Sequence, residues 1–194
     1  TYVFTWTISN GQCQSSSADI TAVFNLTNPP VADANQTFCK IDQPTVANLM
    51  VTGNAVQWFL NSTSGTALNS TTALNSQTYY AEQTDSATLC VSTTRTPVSV
   101  TVLDPSVPIT NATQTFCNTA KISDLIATGT NVKWYLQSTG GIALDPTSDL
   151  TDGTYYASQT LNNAISCEST NRASTIVTIT KTPAPSGSGN QLVC

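Results

Sequence analysis

Gln36-Thr37-Phe38-Cys39, Val56-Gln57-Trp58-Phe59-Leu60, Thr78-Tyr79-Tyr80-Ala81 and Cys90 follow one another in that order. The series then recurs as Gln114-Thr115-Phe116-Cys117, Val132-Lys133-Trp134-Tyr135-Leu136, Thr154-Tyr155-Tyr156-Ala157 and Cys167. The Trp-to-Tyr spacing is 21 in both copies, and Cys39, Cys117 and Cys194 stand 78 and 77 residues apart. Self-similarity at a fixed period marks a tandem array. The spacing predicts whole copies over 29–103 and 104–181. Residues 1–28 read as the C-terminal part of a preceding copy, because Tyr2 precedes Cys13 by 11 residues just as Tyr79 precedes Cys90 by 11. Residues 182–194 read as a linker and the start of the next copy, at Gln191-Leu192-Val193-Cys194.

Composition agrees with strands. Only 9% of the 194 residues are charged, against roughly a quarter in ordinary globular chains. Their place is taken by 35 Thr and 21 Ser. Threonine is β-branched and packs on a pleated surface while keeping a hydroxyl for the wet face. The net charge is −5 and the six basic residues are scattered, which argues against nucleic acid as a partner. No apolar run reaches the ~20 residues that span a bilayer, so no membrane insertion is expected of this segment, and no signal-peptide pattern opens it.

Val98, Val100 and Val102 alternate along a closing strand, and Thr175, Val177 and Ile179 repeat the pattern in the second copy. The runs Val46 to Val51 and Ile122 to Ala127, each ended by Thr-Gly, and short stretches at Ala67-Leu68 and Ala143-Leu144 are also expected as strands, with one helical turn as the alternative in the Leu49 and Leu125 segments. Asn28-Pro29-Pro30, the Asp104 to Pro108 stretch and Thr182 to Pro185 interrupt the ladders and read as short linkers, the middle one fairly stiff and the last loosened by Ser186-Gly187-Ser188-Gly189. Many short strands separated by turn signals predict an all-β chain of tandem, immunoglobulin-like antiparallel β-sandwiches. Trp58, Trp134, Tyr79 and Tyr155 are the expected core aromatics.

Six cysteines without a histidine favour disulfides over zinc, and an oxidising location. In antibody domains the second Cys lies two residues after the corner Tyr, whereas here it lies 11 or 12 after. One intra-domain bridge per copy is therefore expected between the opening segment and the start of the last strand. This pairs Cys39 with Cys90 and Cys117 with Cys167, leaving Cys13 and Cys194 unpaired within the chain. The rival pairing, Cys13–Cys39, Cys90–Cys117 and Cys167–Cys194, would clamp the linkers instead.

Thr-Phe-Cys, Val-x-Trp-Tyr/Phe, Thr-Tyr-Tyr-Ala and Cys-x-Ser, with Arg95 and Arg172 each five after a Cys, resemble the immunoglobulin-like repeats of very large cell-surface adhesins of Bacteroidota, gliding-motility adhesins of the SprB type among them. The resemblance covers residues 31–181. It implies type IX export, an extracellular, outer membrane-attached filament, and adhesion. Neighbouring repeats of the same chain would be the partners of this segment, and a surface or polysaccharide would be held by other regions of the protein. It carries over no catalytic residue and no cofactor.

The residues themselves point the same way. Without histidine no Ser-His or Cys-His dyad can form, and no carboxylate pair sits among aromatics as a glycosidase would need. Asp145, Asp149 and Asp152 cluster, but their sister segment carries Asn69, Asn75 and Gln77, so turn residues are expected rather than Ca²⁺ ligands; no metal site is expected. Trp58-Phe59, Trp134-Tyr135, Tyr79-Tyr80 and Tyr155-Tyr156 put neighbours on opposite strand faces. One partner of each pair belongs in the core, and the other could form a sugar-stacking platform if several were coplanar and exposed, as in a carbohydrate-binding module. Asp85-Ser86-Ala87 resembles the O-glycosylation triplet of Bacteroidota, which makes Ser86 a candidate acceptor on an exposed loop.

Overall fold

The computed structural model describes residues 1–183, so Cys194 and the expected opening at Gln191 lie outside the described residues. The chain divides into two compact units. One contains residues 1–36 and 45–101, the other 37–44 and the chain from Val102 onward.

The first unit opens with a hairpin of β1 (Tyr2–Ile8) and β2 (Ser16–Ala22), paired antiparallel from Tyr2↔Ala22 to Ile8↔Ser16. Next come β3 (Asn35–Cys39), β4 (Gln57–Phe59), β5 (Gln77–Glu82) and β6 (Thr96–Leu103). They form a four-stranded sheet of order β3-β6-β5-β4, and β3 and β6 each run on into the second unit. Period-two alternation decides what is buried: Tyr79 and Ala81 of β5, and Val98 and Val100 of β6, lie inside with Trp58.

The second unit repeats this order. It contains β7 (Ile109–Thr110), β8 (Thr113–Cys117), β9 (Ala127–Thr128), β10 (Lys133–Tyr135), β11 (Gly153–Ser158), β12 (Thr160–Asn162), β13 (Ser166–Glu168) and β14 (Ala173–Thr180). Its main sheet runs β8-β14-β11-β10, with two-stranded ribbons β7-β9 and β12-β13 beside it. Trp134, Tyr155, Ala157 and Val177 of the sheet pack with Ile122, Leu125 and Leu150 in one apolar cluster. The fold is all-β and immunoglobulin-like.

Three expectations change. First, β8 pairs with β14 in parallel, Thr113 opposite Ile176 through Cys117 opposite Thr180. Parallel neighbours need a long crossover, and the whole of the second copy lies between these two strands. Second, Val46–Asn48 and Ile122–Asp124 are single 3-10 turns, not strands. In each, a side-chain carbonyl or carboxylate three residues on captures the backbone N–H that opens the turn. Asn48 Oδ1 accepts from Thr45 N at 2.7 Å, and Asp124 Oδ2 accepts from Lys121 N at 2.7 Å. Third, Leu68 and Leu144 form no strand of their own. Each N–H makes one bond to the Trp carbonyl of the neighbouring strand, at 2.7 and 2.8 Å.

The first two proline stretches do not hang free either, and the third runs beyond the described residues. Gln83 Nε2 donates to Asn28 O at 2.7 Å while its Oε1 accepts from Asn54 N at 2.9 Å. In the second unit Gln159 donates to Ser106 O at 2.6 Å and accepts from Thr130 N at 3.0 Å. A Cβ on Gly53 would come within 2.6 Å of Gln83 and 2.9 Å of Pro30, and one on Gly129 within 2.9 Å of both Gln159 and Pro108. The Thr-Gly pairs therefore leave room for a glutamine to stitch each proline segment onto its sheet.

Candidate functional site

Two constellations combine defined chemistry with repetition. The first lies on the outer face of the Trp strands. Strand alternation sends Trp58 and Trp134 inward, so Phe59 and Tyr135 point the other way, yet both are only 5% exposed. Their cover is the arginine five residues after each closing cysteine. The Arg95 guanidinium lies 3.4 Å from the Phe59 ring centroid, and that of Arg172 lies 3.3 Å from Tyr135. Such stacking draws on the ring quadrupole. Nη1 of Arg95 also donates to Asn61 O and Ser64 O, both at 2.8 Å, and Nη1 of Arg172 to Gln137 O and Gly140 O at 2.8 and 2.7 Å. Each arginine thus caps an aromatic face and closes the loop that follows the Trp strand.

A carboxylate completes each cap, but from different strands. Arg95 Nε pairs with Glu82 of β5 at 3.0 Å, with both side chains largely buried. In the second unit Glu168 of β13 accepts from Tyr135 Oη and Ser158 Oγ, both at 2.6 Å, and from Lys133 Nζ at 3.0 Å. Burial alone would raise the Glu168 pKa, but these three hydrogen bonds outweigh it and hold the carboxyl below its usual range. Burial, with the bond to Glu168 behind it, pushes the Tyr135 hydroxyl up.

The second constellation is the cysteines, and here the expectation is corrected. Neither Cys39–Cys90 nor Cys117–Cys167 forms, and neither does the rival linker clamp among the described residues. Cys39 bonds to Cys167, with Cα atoms 5.3 Å apart and a sequence separation of 128. Cys13, Cys90 and Cys117 carry free thiols. The reason is the path of the chain after β3. Residues 37–44, the last three residues of β3 and the turn that follows, group with the second unit. Five residues lie between Cys39 and the capped turn at Thr45, where three lie between Cys117 and Lys121. The extra length forms a 3-10 turn at Lys40–Asp42. Lys40 Nζ then meets Asp104 at 2.9 Å, and Asp104 also accepts from Thr170 N and Oγ1 at 3.2 and 2.8 Å. Through the Lys40 bond first, the Asp104 carboxyl is held below its usual pKa.

Trp58, Trp134, Tyr79 and Tyr155 are all buried. The two tyrosine hydroxyls tie down the turn before their own strand, accepting from Asn75 N at 3.0 Å and from Thr151 N at 3.2 Å. Asp145, Asp149 and Asp152 are not brought together on one ligand site. Asp145 accepts from Thr147, Asp149 pairs with Lys121, and Asp152 accepts from Ile179 N. Among the described residues, no group of three or more Cys, Asp or Glu could hold a metal ion. Ser86 lies exposed on a turn organised by Asp85, whose carboxylate accepts from the N–H groups of Ala87 and Thr88.

Sequence reading assigned no role to Arg95, Arg172, Glu82, Glu168, Gln36 or Gln114. Gln36 closes a two-bond clasp with Met50 N and O at 2.9 and 2.7 Å, and Gln114 does the same with Ile126 at 2.8 and 2.9 Å. Their recurrence at fixed offsets was the available signal.

With this geometry in view, residues 27–103 match the family model described as the Ig-like domain, CHU_C associated. No curated protein matches the chain.

Proposed function

We propose that the chain is a structural, non-catalytic segment of a bacterial cell-surface adhesin, exported by the type IX route and made of immunoglobulin-like repeats in tandem. Its work is to space an adhesive region away from the outer membrane and carry force to it, during adhesion and gliding. Residues 1–28 are the C-terminal part of a preceding repeat, with repeats over 29–103 and 104–181.

One observation carries this reading. The aromatic on the outer face of each Trp strand is closed off by an arginine that also ties down the adjoining loop, so the repeated residues strengthen a sheet and leave no stacking platform there. The match of an immunoglobulin-like family over 27–103 supports it. A second reading, direct binding of polysaccharide, is favoured by Tyr2, Phe4 and Trp6, which share one face of β1 and are 63%, 55% and 70% exposed. Against it, Tyr2 stands 11 before Cys13 as Tyr79 stands 11 before Cys90, and the face of Tyr79 and Ala81 is buried core.

Binding to a panel of bacterial and algal polysaccharides separates the two. The stalk reading expects no binding by the wild-type chain. Binding that disappears in Trp6→Ala would replace it with the second reading.

A further inference from the structure

In a segment that carries force, tension enters a motif copy along its opening strand and leaves along its closing strand. In the second unit these strands are β8 and β14. They lie side by side in parallel, Thr113 opposite Ile176 through Cys117 opposite Thr180. A pull toward the chain start on β8 and toward the chain end on β14 slides one strand along the other. All the ladder bonds are then loaded at once and must fail together. The hairpin β1–β2 has the opposite geometry. Tyr2 and Ala22 are paired at its open end, so the same pull parts one pair at a time, each bond worth about 1 kcal/mol net.

The ladder between β8 and β14 also runs past the strand ends. Ile176 N donates to Ala112 O at 2.9 Å, and Asn118 N donates to Thr180 O at 2.8 Å. Side chains carry it further. Thr110 Oγ1 donates to Ser174 O and Thr180 Oγ1 to Phe116 O, both at 3.1 Å, and Asn118 Oδ1 accepts from Thr182 N at 3.1 Å.

The Cys39–Cys167 bridge changes which strands feel the load. Cys39 ends β3, and Cys167 lies in β13, six residues ahead of the first residue of β14. While the bridge holds, tension passes from β3 through the two sulfurs and on along β14. Strand β8 then lies inside the closed loop, off the path. We propose that β8 and β14 form a shear clamp that bears load in the second unit, and that the bridge decides whether this clamp is loaded. With the bridge closed the segment transmits force without yielding its sheets. With the bridge open the clamp takes the force and, when it fails, releases the length stored behind it. A dithiol reductant opens the bridge. Its first thiolate attacks one sulfur and frees one cysteine, and its second closes the reductant's own disulfide and frees the other, two electrons passing to the bridge.

The clamp has a use only in a segment that carries force, as the stalk reading holds, but its mechanics are measured independently of polysaccharide binding. The test is single-molecule force spectroscopy of the chain held at its two ends, with and without dithiothreitol. Without reductant, the hairpin should open at low force and no event of repeat size should follow. With reductant, each copy should add one event at a force several-fold above that of the hairpin. For the second unit the gain should be about 230 Å, from the 67 residues between Thr113 and Thr180 at about 3.4 Å each. The double variant Thr110→Ala/Asn118→Gly removes two side-chain bonds of the clamp. Asn118 has a φ of 62°, which glycine adopts freely, so the backbone there is kept. This variant should lower the force of one large event and leave the other. Tyr135→Phe, in the same unit but off the clamp, should leave both forces as they are. Repeat-sized events in the bridged chain, or reduced events absent or no stronger than hairpin opening, would overturn the proposal. So would a double variant as strong as wild type, or a force lowered as much by Tyr135→Phe.

Discussion

The two motif copies solve one local problem in two ways. In the first, Phe59, Glu82 and Val91 occupy the positions that Tyr135, Ser158 and Glu168 fill in the second. The carboxylate has moved from the sheet strand β5 to β13, a strand of the side ribbon, and the ring has gained a hydroxyl that donates to it. In the first copy the acid pairs with the arginine itself. In the second it serves tyrosine, serine and lysine, and the arginine is left with its ring and two carbonyls. The three exchanges make sense only together. What persists is a capped aromatic with a largely buried carboxylate beside it, and the residue supplying the charge is free to move. The copies differ again at their opening cysteines, one bonded and buried, the other exposed.

That last difference sets the largest expected effect. Cys39→Ser opens a loop of 128 residues, which on the chain-entropy account costs close to 5 kcal/mol. Cys117→Ser should stay within about 0.5 kcal/mol, as exposed substitutions do. Denaturant unfolding of both variants measures this. Equal losses would break the asymmetry. Force spectroscopy gives a second reading of the same bond. Residues inside the closed loop cannot be drawn out while it is intact, so reduction should lengthen the fully unfolded chain by roughly 430 Å, at about 3.4 Å per residue.

The arginines come next. Arg95→Ala removes a ring contact and two carbonyl bonds, and leaves Glu82 without its cation. Breaking a largely buried ion pair from one side is costly, and about 3 kcal/mol is expected. Arg172→Ala removes the ring contact and two carbonyl bonds only, so about 1.5 kcal/mol should be lost. If the two variants are equally destabilised in urea, the carboxylate of Glu82 adds nothing to its cap.

How much of this could be read from residues alone follows the same division. Alternation made the buried face of Tyr79, Ala81, Val98 and Val100 legible, because a strand with one wet side writes its period into the sequence. The capped turns at Thr45 and Lys121 were not legible, since a short apolar run looks alike as strand or 3-10 turn, and one side-chain hydrogen bond decides between them. The partner of Cys39 was illegible for a different reason. Spacing within a copy says nothing about a strand whose end groups with the other unit, and two extra residues before Thr45 were a faint sign. Glu168 escaped because its counterpart is Val91, so comparing the copies position by position hid the acid that the second copy shares with the first.

Smaller effects test the exchange itself. Tyr135→Phe removes a hydroxyl bonded to a carboxylate at 2.6 Å, worth about 1.5 kcal/mol. Phe59→Tyr adds a hydroxyl beside a carboxylate already engaged by Arg95, and should bring no gain in stability. A stabilised Phe59→Tyr chain would show that the first copy has room for both arrangements.

The smallest effect is a dependence on pH, and its sign differs at the two ends of the range. Glu168 has a folded pKa below its unfolded value near ~4.3, so its contribution is complete above that value and fades as pH falls through the folded pKa. Tyr135 has a folded pKa above its unfolded value near ~10, so its contribution is complete below that value and fades as pH rises through the folded pKa. Thermal midpoints followed across pH should therefore fall away on both sides of a plateau. Glu168→Gln should flatten part of the acid limb only, because Asp104, Asp85 and Asp145 are also held below their usual pKa and fade in the same direction. Tyr135→Phe should flatten part of the alkaline limb, because the bond to Glu168 also holds Lys133 above its usual pKa and that contribution fades in the same direction; it should also weaken the acid limb, because it takes away one of the bonds that keep Glu168 ionised. An acid limb untouched by Tyr135→Phe would mean that Ser158 and Lys133 hold the carboxylate unaided, and the hydroxyl gained by the second copy would then have no part in moving the charge.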